Sequence, residues 1–529
     1  MIEKQETFFD VVYDIFYKVA NQTPGNISFL FSYEANYPLI DFRPQLELTM
    51  PLPKIQDGNF VFEGMVFENS DKGRAALWGL FLASVYHLAA HAAVSKYHVY
   101  AQWCKKKTAD VSWKVIDFIE DVAVERYLSD NYPEIWMNIV NINTSLILTC
   151  DDQKIIKQKN NSDKKKDSKL YCIVDDEKRI EKMRREILSM GVNPINEESI
   201  LSYADTLYAS RGLIPQNIFP YVEHHNDEQF IKFEKKGVEF QADGLFEKNT
   251  TLLNELWEEN EKQKSRLLRR FRKGLKGLNF DSVVIPSGDL HKFEEIRIKI
   301  LPMLRKIRQQ VRMITNAEDD PKSDKLGIIN MQFAIQAIAS ENTSMDIYDR
   351  DVIRRAEEAW LILVDSSASM NLKFDKIKEF AICIAEAATE LTGKADAWGM
   401  YSFDNNFTVL KDFNEKYSNE VKARIGSLKG GGLSLLPDAL ELSSRILASD
   451  PREKKHIFIL TDGHPSGYDQ IEKRFAKVVK VIEMSSTSLI AVGLSKKMAR
   501  SFRNTAKGYD LKQLVSNFIT AYRAVSLDV

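Results

Sequence analysis

Three short segments late in the chain could bring oxygen ligands together: Asp365-Ser366-Ser367-Ala368-Ser369, Lys429-Gly430-Gly431-Gly432-Leu433-Ser434 and Thr461-Asp462-Gly463. Between them they offer two carboxylates, Asp365 and Asp462, and at least three hydroxyls, those of Ser367, Ser369 and Ser434. No histidine or thiol needs to take part. Such a ligand set suits a hard, octahedral cation: Mg2+ first, Mn2+ or Ca2+ next, with Zn2+ disfavoured. Mg2+ commonly keeps several waters and uses only one or two protein carboxylates, which leaves a coordination position for an incoming oxygen.

These segments must be held at one edge of something rigid, and the surrounding pattern supplies it. Apolar runs of strand length alternate with helical stretches: AWLILVD, FDKIKEFAICIAEAATELT, DAWGMYSFD, LLPDALELSSRILA, KHIFILTDG, SLIAVGL and LKQLVSNFITAYRAV. Strands rich in Leu, Ile and Val that alternate with helices predict an α/β fold. Its doubly wound, mostly parallel sheet is covered by helices on both faces. Ligands of such sheets bind at the carboxyl ends of the strands near a topological switch point, where Asp365 and Thr461-Asp462 both fall. Two enzymatic readings find no support. His456 and His464 have no Gly-x-Ser-x-Gly elbow to serve, and no Gly-x-x-x-x-Gly-Lys-Ser/Thr loop is present to hold ATP.

The DxSxS loop, the glycine-rich loop with its hydroxyl and the TDG strand end resemble the metal-ion-dependent adhesion site of von Willebrand factor A domains. The resemblance implies that Ser367 and Ser369 bind the ion directly, while Asp365 and Asp462 hold it largely through waters. Ser434 would take the place of the family's usual threonine, since this loop reads GGGLS where many relatives read GGT. DRDVIRRAEEAWLILVDSSASM followed by ILTDGHPSGYDQ is similar to the activation proteins of nitric oxide reductase and Rubisco (the NorD/CbbO type). The cobalt chelatase large subunit is a more distant cousin. That likeness covers roughly 350–529, with a fainter echo in FIEDVAVER, Phe118 to Arg126. It implies a non-enzymatic adaptor that grips a carboxylate on a target metalloenzyme or enzyme complex. The adaptor would couple that target to a MoxR-type AAA+ ATPase for remodelling or metal-cofactor insertion.

A rival constellation lies near the N-terminus. His87-Leu88-Ala89-Ala90-His91 sets two imidazoles at i and i+4 on one helical face, which is zinc-ligand spacing. Glu120 or Asp121, on another predicted helix, could add a third ligand, so His87, His91 and Glu120 form a candidate second metal site. The alternative function is therefore a metal-dependent hydrolase or vestigial metallopeptidase. A zinc peptidase, however, needs a glutamate beside the first histidine, and Leu88 stands there. The plainer reading makes both histidines hydrogen-bonded core residues, paired with Glu120 or Glu125 and pinning two helices together.

Length and composition frame the rest. A chain of 529 residues predicts two or three domains. With 73 Lys+Arg against 75 Asp+Glu the net charge is -2, which gives no footing for nucleic acid or a membrane surface. Four cysteines without CxxC spacing, and an N-terminus that lacks a basic region and a long apolar run, fit a cytoplasmic protein. Ala75 to Val94 carries no formal charge over twenty residues. Its histidines, Ser84 and Tyr86 make it a buried core helix rather than a membrane span. The expected domains are a mainly helical region at 1–150 with a β-hairpin or pair of short strands near 38–68, and a charged flexible insertion at 151–177. A charged helical middle region at 178–350 and the α/β domain at 351–529 follow. Within the middle region Lys264 to Lys276 is basic and amphipathic. It reads as the solvated face of a long helix, with an acidic partner as the sharper alternative.

Overall fold

The computed structural model describes residues 7–41, 46–142, 182–183, 185–187, 197–209, 243–317, 328–329, 331–340, 348–349, 357–391, 394–493 and 502–527. The expected insertion at 151–177 lies outside them. The chain divides into two compact units. One comprises Met1–Arg266, Ser287–Glu294 and Ser418–Gly426; the other comprises Leu267–Pro286, Glu295–Tyr417 and Ser427–Val529.

The first unit is built around the helix Asp71–Val94, which starts where Ser70 Oγ accepts the Gly73 N–H at 3.2 Å. From Ala76 to Ala92 every side chain is buried, including Trp78, Phe81, His87 and His91. A helix apolar on all sides has no face to give to water and becomes the centre of a core. The expected core helix is thus observed. Around it lie Phe8–Ala20, Tyr97–Trp103, Ala109–Asn131 and Glu197–Ala209. The central helix ends at Ser95, which leaves helical geometry at ψ 139°, and the next begins at Tyr97.

Two small sheets complete the unit, where the sequence pattern gave only a hairpin or a pair of strands. In one, Ser28–Ser32 pairs parallel to Glu47–Pro51, which pairs antiparallel to Leu39–Asp41. In the other, Lys54–Gln56, Asn59–Phe62 and Met65–Phe67 form an antiparallel meander. Of these strands, Ser28–Ser32 lies outside 38–68 altogether. Its parallel partner lies a crossover away, beyond the reach of turn signals.

The second unit carries a seven-stranded sheet in the order Asn504–Lys507, Thr487–Gly493, Lys454–Leu460, Glu358–Asp365, Trp398–Phe403, Phe407–Lys411, Val283–Val284. Neighbours run parallel except Trp398–Phe403 and Phe407–Lys411, which are antiparallel. Helices cover both faces. On one, Leu436, Leu440, Phe475 and Val479 pack with Leu361, Leu363, Ile457 and Ile459. On the other, Phe380 and Phe458 each meet Phe518 edge to face, and Trp360 meets Tyr522. The two-residue period of the strands explains the division, odd positions of Glu358–Asp365 facing one layer and even positions the other.

The middle region does not stand as a third unit, and its described residues are shared between the two. Phe246, Leu253 and Trp257 enter the core of the first unit, whereas Phe271, Phe280 and Val283 enter that of the second. Helical periodicity shows that a face is apolar, but not which core receives it. The basic stretch is resolved in the same way. Phe271 is buried, with Leu267, Leu268 and Leu275 packed beside it, and Arg270 pairs with the buried Asp412.

Candidate metal centre

Asp365 closes the strand Glu358–Asp365, whose neighbours are Trp398–Phe403 on one side and Lys454–Leu460 on the other. The chain visits the first neighbour, then crosses to the second, so Asp365 sits at the switch point of the sheet. Val364 is in register with Leu460, which puts Asp365 level with Thr461.

The Asp365 carboxylate is fully buried and receives donors from three residues. Ser367 N–H reaches Oδ1 at 3.0 Å, while Ser434 Oγ and Thr461 Oγ1 reach Oδ2 at 3.0 and 2.7 Å. Burial pushes this carboxyl above the usual range, and the bonds from Ser367, Thr461 and Ser434 pull the other way. Those partners are neutral hydroxyls and an amide, so among the described residues the cradle is polar without a positive charge. Ser367 Oγ lies 3.1 Å from Ser369 Oγ. The Ser366 hydroxyl beside them is buried without a hydrogen-bond partner among the described residues.

The three loops are laced together by backbone. Ala368 N–H donates to the Gly432 carbonyl at 3.0 Å, and Gly431 N–H to the Ser366 carbonyl at 2.6 Å. Leu433 N–H donates to Asn405 Oδ1 at 2.8 Å, and Ser434 N–H to Ser466 Oγ at 2.9 Å. Gly432 has φ +76°, and a Cβ there would come within 2.9 Å of Asn405 Oδ1, so the position requires glycine twice over.

The structure therefore brings Asp365, Ser367, Ser369 and Ser434 into one hydrogen-bonded group. The register of GGGLS does carry the Ser434 hydroxyl to Asp365. Asp462 stands one residue beyond Thr461, half-buried, and its Oδ1 accepts the His464 N–H at 3.0 Å within its own turn. Thr461 itself was not expected as a site residue, although its place in the TDG strand end was the signal for it. His456 is far from serving a serine. It is in register with Trp360, near the opposite end of the strand that finishes at Asp365.

The donor set fits a hard cation. Octahedral oxygens at 2.0–2.1 Å from Mg2+ stand about 3 Å apart, and the hydroxyls of Ser367 and Ser369, which the resemblance makes direct ligands, stand 3.1 Å apart.

Residues 361–520 match the von Willebrand factor type A domain family. The C-terminal region is a von Willebrand factor A domain. Related chains share part of it. An uncharacterized protein of Pseudomonas aeruginosa is 25% identical over 183 residues, 32% of this chain and 29% of that protein. Protein NorD of Stutzerimonas stutzeri is 21% identical over 208 residues, 36% and 34% of the two chains. Protein NorD of Brucella abortus is 39% identical over 68 residues, 13% and 11%. The chain thus spans about a third or less of the length of the curated relatives it matches. Among solved structures, the PilB minor pilin of Streptococcus sanguinis matches at 14% identity and TM-score 0.26, over 34% of this chain and 63% of that one.

The histidine pair lies in the other unit, away from the von Willebrand factor A domain in sequence. His87 Nε2, His91 Nε2 and Asp121 Oδ1 converge: the separations are 3.0 Å between the histidines, 3.1 Å from His91 to Asp121 and 3.3 Å from His87 to Asp121. The third member is Asp121, not Glu120, which corrects the sequence expectation. Adjacent residues of the helix Ala109–Asn131 point about 100° apart, so only one of the two can face the histidines, and apolar residues on both sides of the pair concealed which. Burial raises the Asp121 carboxyl, but hydrogen bonds from His87 and His91 outweigh it and hold the group well below the ordinary range. Glu120 is buried apart from them, pushed up to about 7 by desolvation against hydrogen bonds from Ser95 and Tyr100.

Proposed function

We propose that the chain is a non-enzymatic adaptor that grips a carboxylate of a target protein at the Asp365 centre and couples that target to a MoxR-type AAA+ ATPase. The observation that carries this reading is the Asp365 carboxylate, buried at the switch point in a cradle of neutral donors. Asp365, Ser367, Ser369, Ser434 and Asp462 would hold the ion. Mg2+ bound there supplies an open coordination position and a positive charge for an incoming Asp or Glu side chain. Thr461 and Ser434 fix the Asp365 carboxylate from the neighbouring strand and the glycine loop, so the chain's own oxygens are placed before a partner arrives. Leu372, fully exposed, follows the DxSxS loop, and the half-exposed Leu433 precedes Ser434. Exposed apolar side chains on two loops of the centre suit contact with a protein rather than with a small hydrophilic ligand.

The ATPase and the target rest on the resemblance to the activation proteins, and the relatives called NorD support that direction. The test immobilises the full chain and its Asp365→Ala variant, each with Mg2+ or with EDTA, against native lysate. An AAA+ ATPase held in every condition, with a second enzyme held only by the unaltered chain in Mg2+, is the expected result. Capture that is identical with chelator and in the variant overturns the clamp.

A further inference from the structure

We propose that His87, His91 and Asp121 bind one divalent transition-metal ion of the zinc class, clipping the helix Asp71–Val94 to the helix Ala109–Asn131. The site is separate from the Asp365 centre in ligand chemistry and in the unit that carries it.

The first support is convergence. Three donor atoms from two helices lie within 3.0–3.3 Å of one another. A tetrahedral zinc with ligands at 2.0–2.1 Å sets them about 3.3 Å apart, so an ion enters with only slight spreading of the donors.

The direction of the donors gives the second. His87 Nε2 and His91 Nε2 both lie within 3.3 Å of the one oxygen Asp121 Oδ1, and a neutral imidazole can turn a lone pair to that point once its proton is carried on Nδ1. An ion there would take one nitrogen from each ring and one oxygen from the carboxylate.

The remaining support is the surrounding shell. His91 Nδ1 lies 2.8 Å from Ser95 Oγ and 3.0 Å from the Tyr97 hydroxyl. Such partners on the far ring nitrogen orient a ligating histidine and fix its tautomer. All three ligands are buried, His87 at 3%, His91 at 1% and Asp121 at 6% exposed. The mixed nitrogen and oxygen donors favour zinc and its neighbours over Mg2+ or Ca2+. With Leu88 beside His87 in place of a glutamate, the role assigned is a structural clip rather than peptide hydrolysis.

The test uses the full chain without a histidine tag, stripped with chelator and titrated with Zn2+ in excess Mg2+, beside His87→Gln and Asp121→Asn. Expected are one tightly held zinc and a rise of about 5 °C in Tm at about a hundredfold excess over Kd, both lost in either variant. Zinc-edge X-ray absorption of the unaltered chain should show a shell of two imidazoles with oxygen, a readout that stands even where a variant fails to fold. No stoichiometric zinc, variants that retain it, or a shell without imidazole overturns the proposal.

Discussion

Thr461, at the end of the adjacent strand, donates its hydroxyl to Asp365 Oδ2 at 2.7 Å, and Thr461 Oγ1 accepts Gly463 N–H at 3.0 Å. One side chain thus orients the central carboxylate and shapes the turn that presents Asp462. Thr461→Val removes both bonds at nearly constant volume. It should lower stability by about 1–2 kcal/mol and weaken Mg2+ binding by about tenfold or more, with Thr461→Ser restoring most of both. Calorimetric Mg2+ titration and thermal melts check this; unchanged affinity in the valine variant would remove Thr461 from the site.

Asp365 makes the stability of the protein depend on pH in a direction opposite to that of most carboxylates. Burial raises its folded value, so the folded chain keeps the proton where the unfolded chain has released it. The stability this contributes is present below the ordinary carboxylate range and is lost as pH rises through the raised value. Asp365→Asn abolishes the titration. In chelator at neutral pH it should melt no lower than the unaltered chain, show a flatter pH profile, and gain nothing from Mg2+. A variant that melts well below the unaltered chain in chelator would mean that the ionised carboxylate is itself stabilising.

Much of this centre is legible in the sequence, because Asp365 and Thr461-Asp462 sit at strand ends, and the apolar runs AWLILVD and KHIFIL mark those ends plainly. The α/β order and its two helical layers followed from the same runs. What escaped was whatever depends on a rotation or on a distant pairing. Thr461 holds a ligand residue rather than resembling one, and only the pairing of two strands brings it to Asp365. Asp121 could not be told from Glu120 without knowing how the helix turns. The division of 244–286 between two cores, and the parallel pairing of Ser28–Ser32 with Glu47–Pro51, are contacts for which local periodicity carries no signal.

The glycine loop offers a paired comparison within three residues. At Gly432, with φ +76°, an added Cβ meets Asn405 Oδ1 at 2.9 Å and Asp404 Cβ at 3.1 Å, whereas at Gly431 nothing lies within 4 Å. Gly432→Ala should cost about 1–3 kcal/mol and weaken Mg2+ binding, since the Gly432 carbonyl anchors Ala368 and Ser434 follows two residues on. Gly431→Ala should stay within about 0.5 kcal/mol of the unaltered chain. Equal melting temperatures for the two variants would show that the loop adapts freely.

Leu372 and Leu433 separate partner recognition from ion binding. Leu372 is 100% and Leu433 43% exposed, and neither side chain is among those that hold Asp365. Their replacement by aspartate leaves the core and the hydroxyl cradle untouched, so Tm should shift little and Mg2+ affinity should hold or rise slightly from the added negative charge. Target capture, in contrast, should fall by about tenfold or more if these side chains are anchors at the centre of the contact. A carboxylate placed beside the ion would also compete with the partner's own for the open position. Leu372→Ala and Leu433→Ala distinguish the two causes: loss with alanine reports apolar contact, and loss with aspartate alone reports competition. Capture unaffected by all four variants would place the target's contact on another face of the domain.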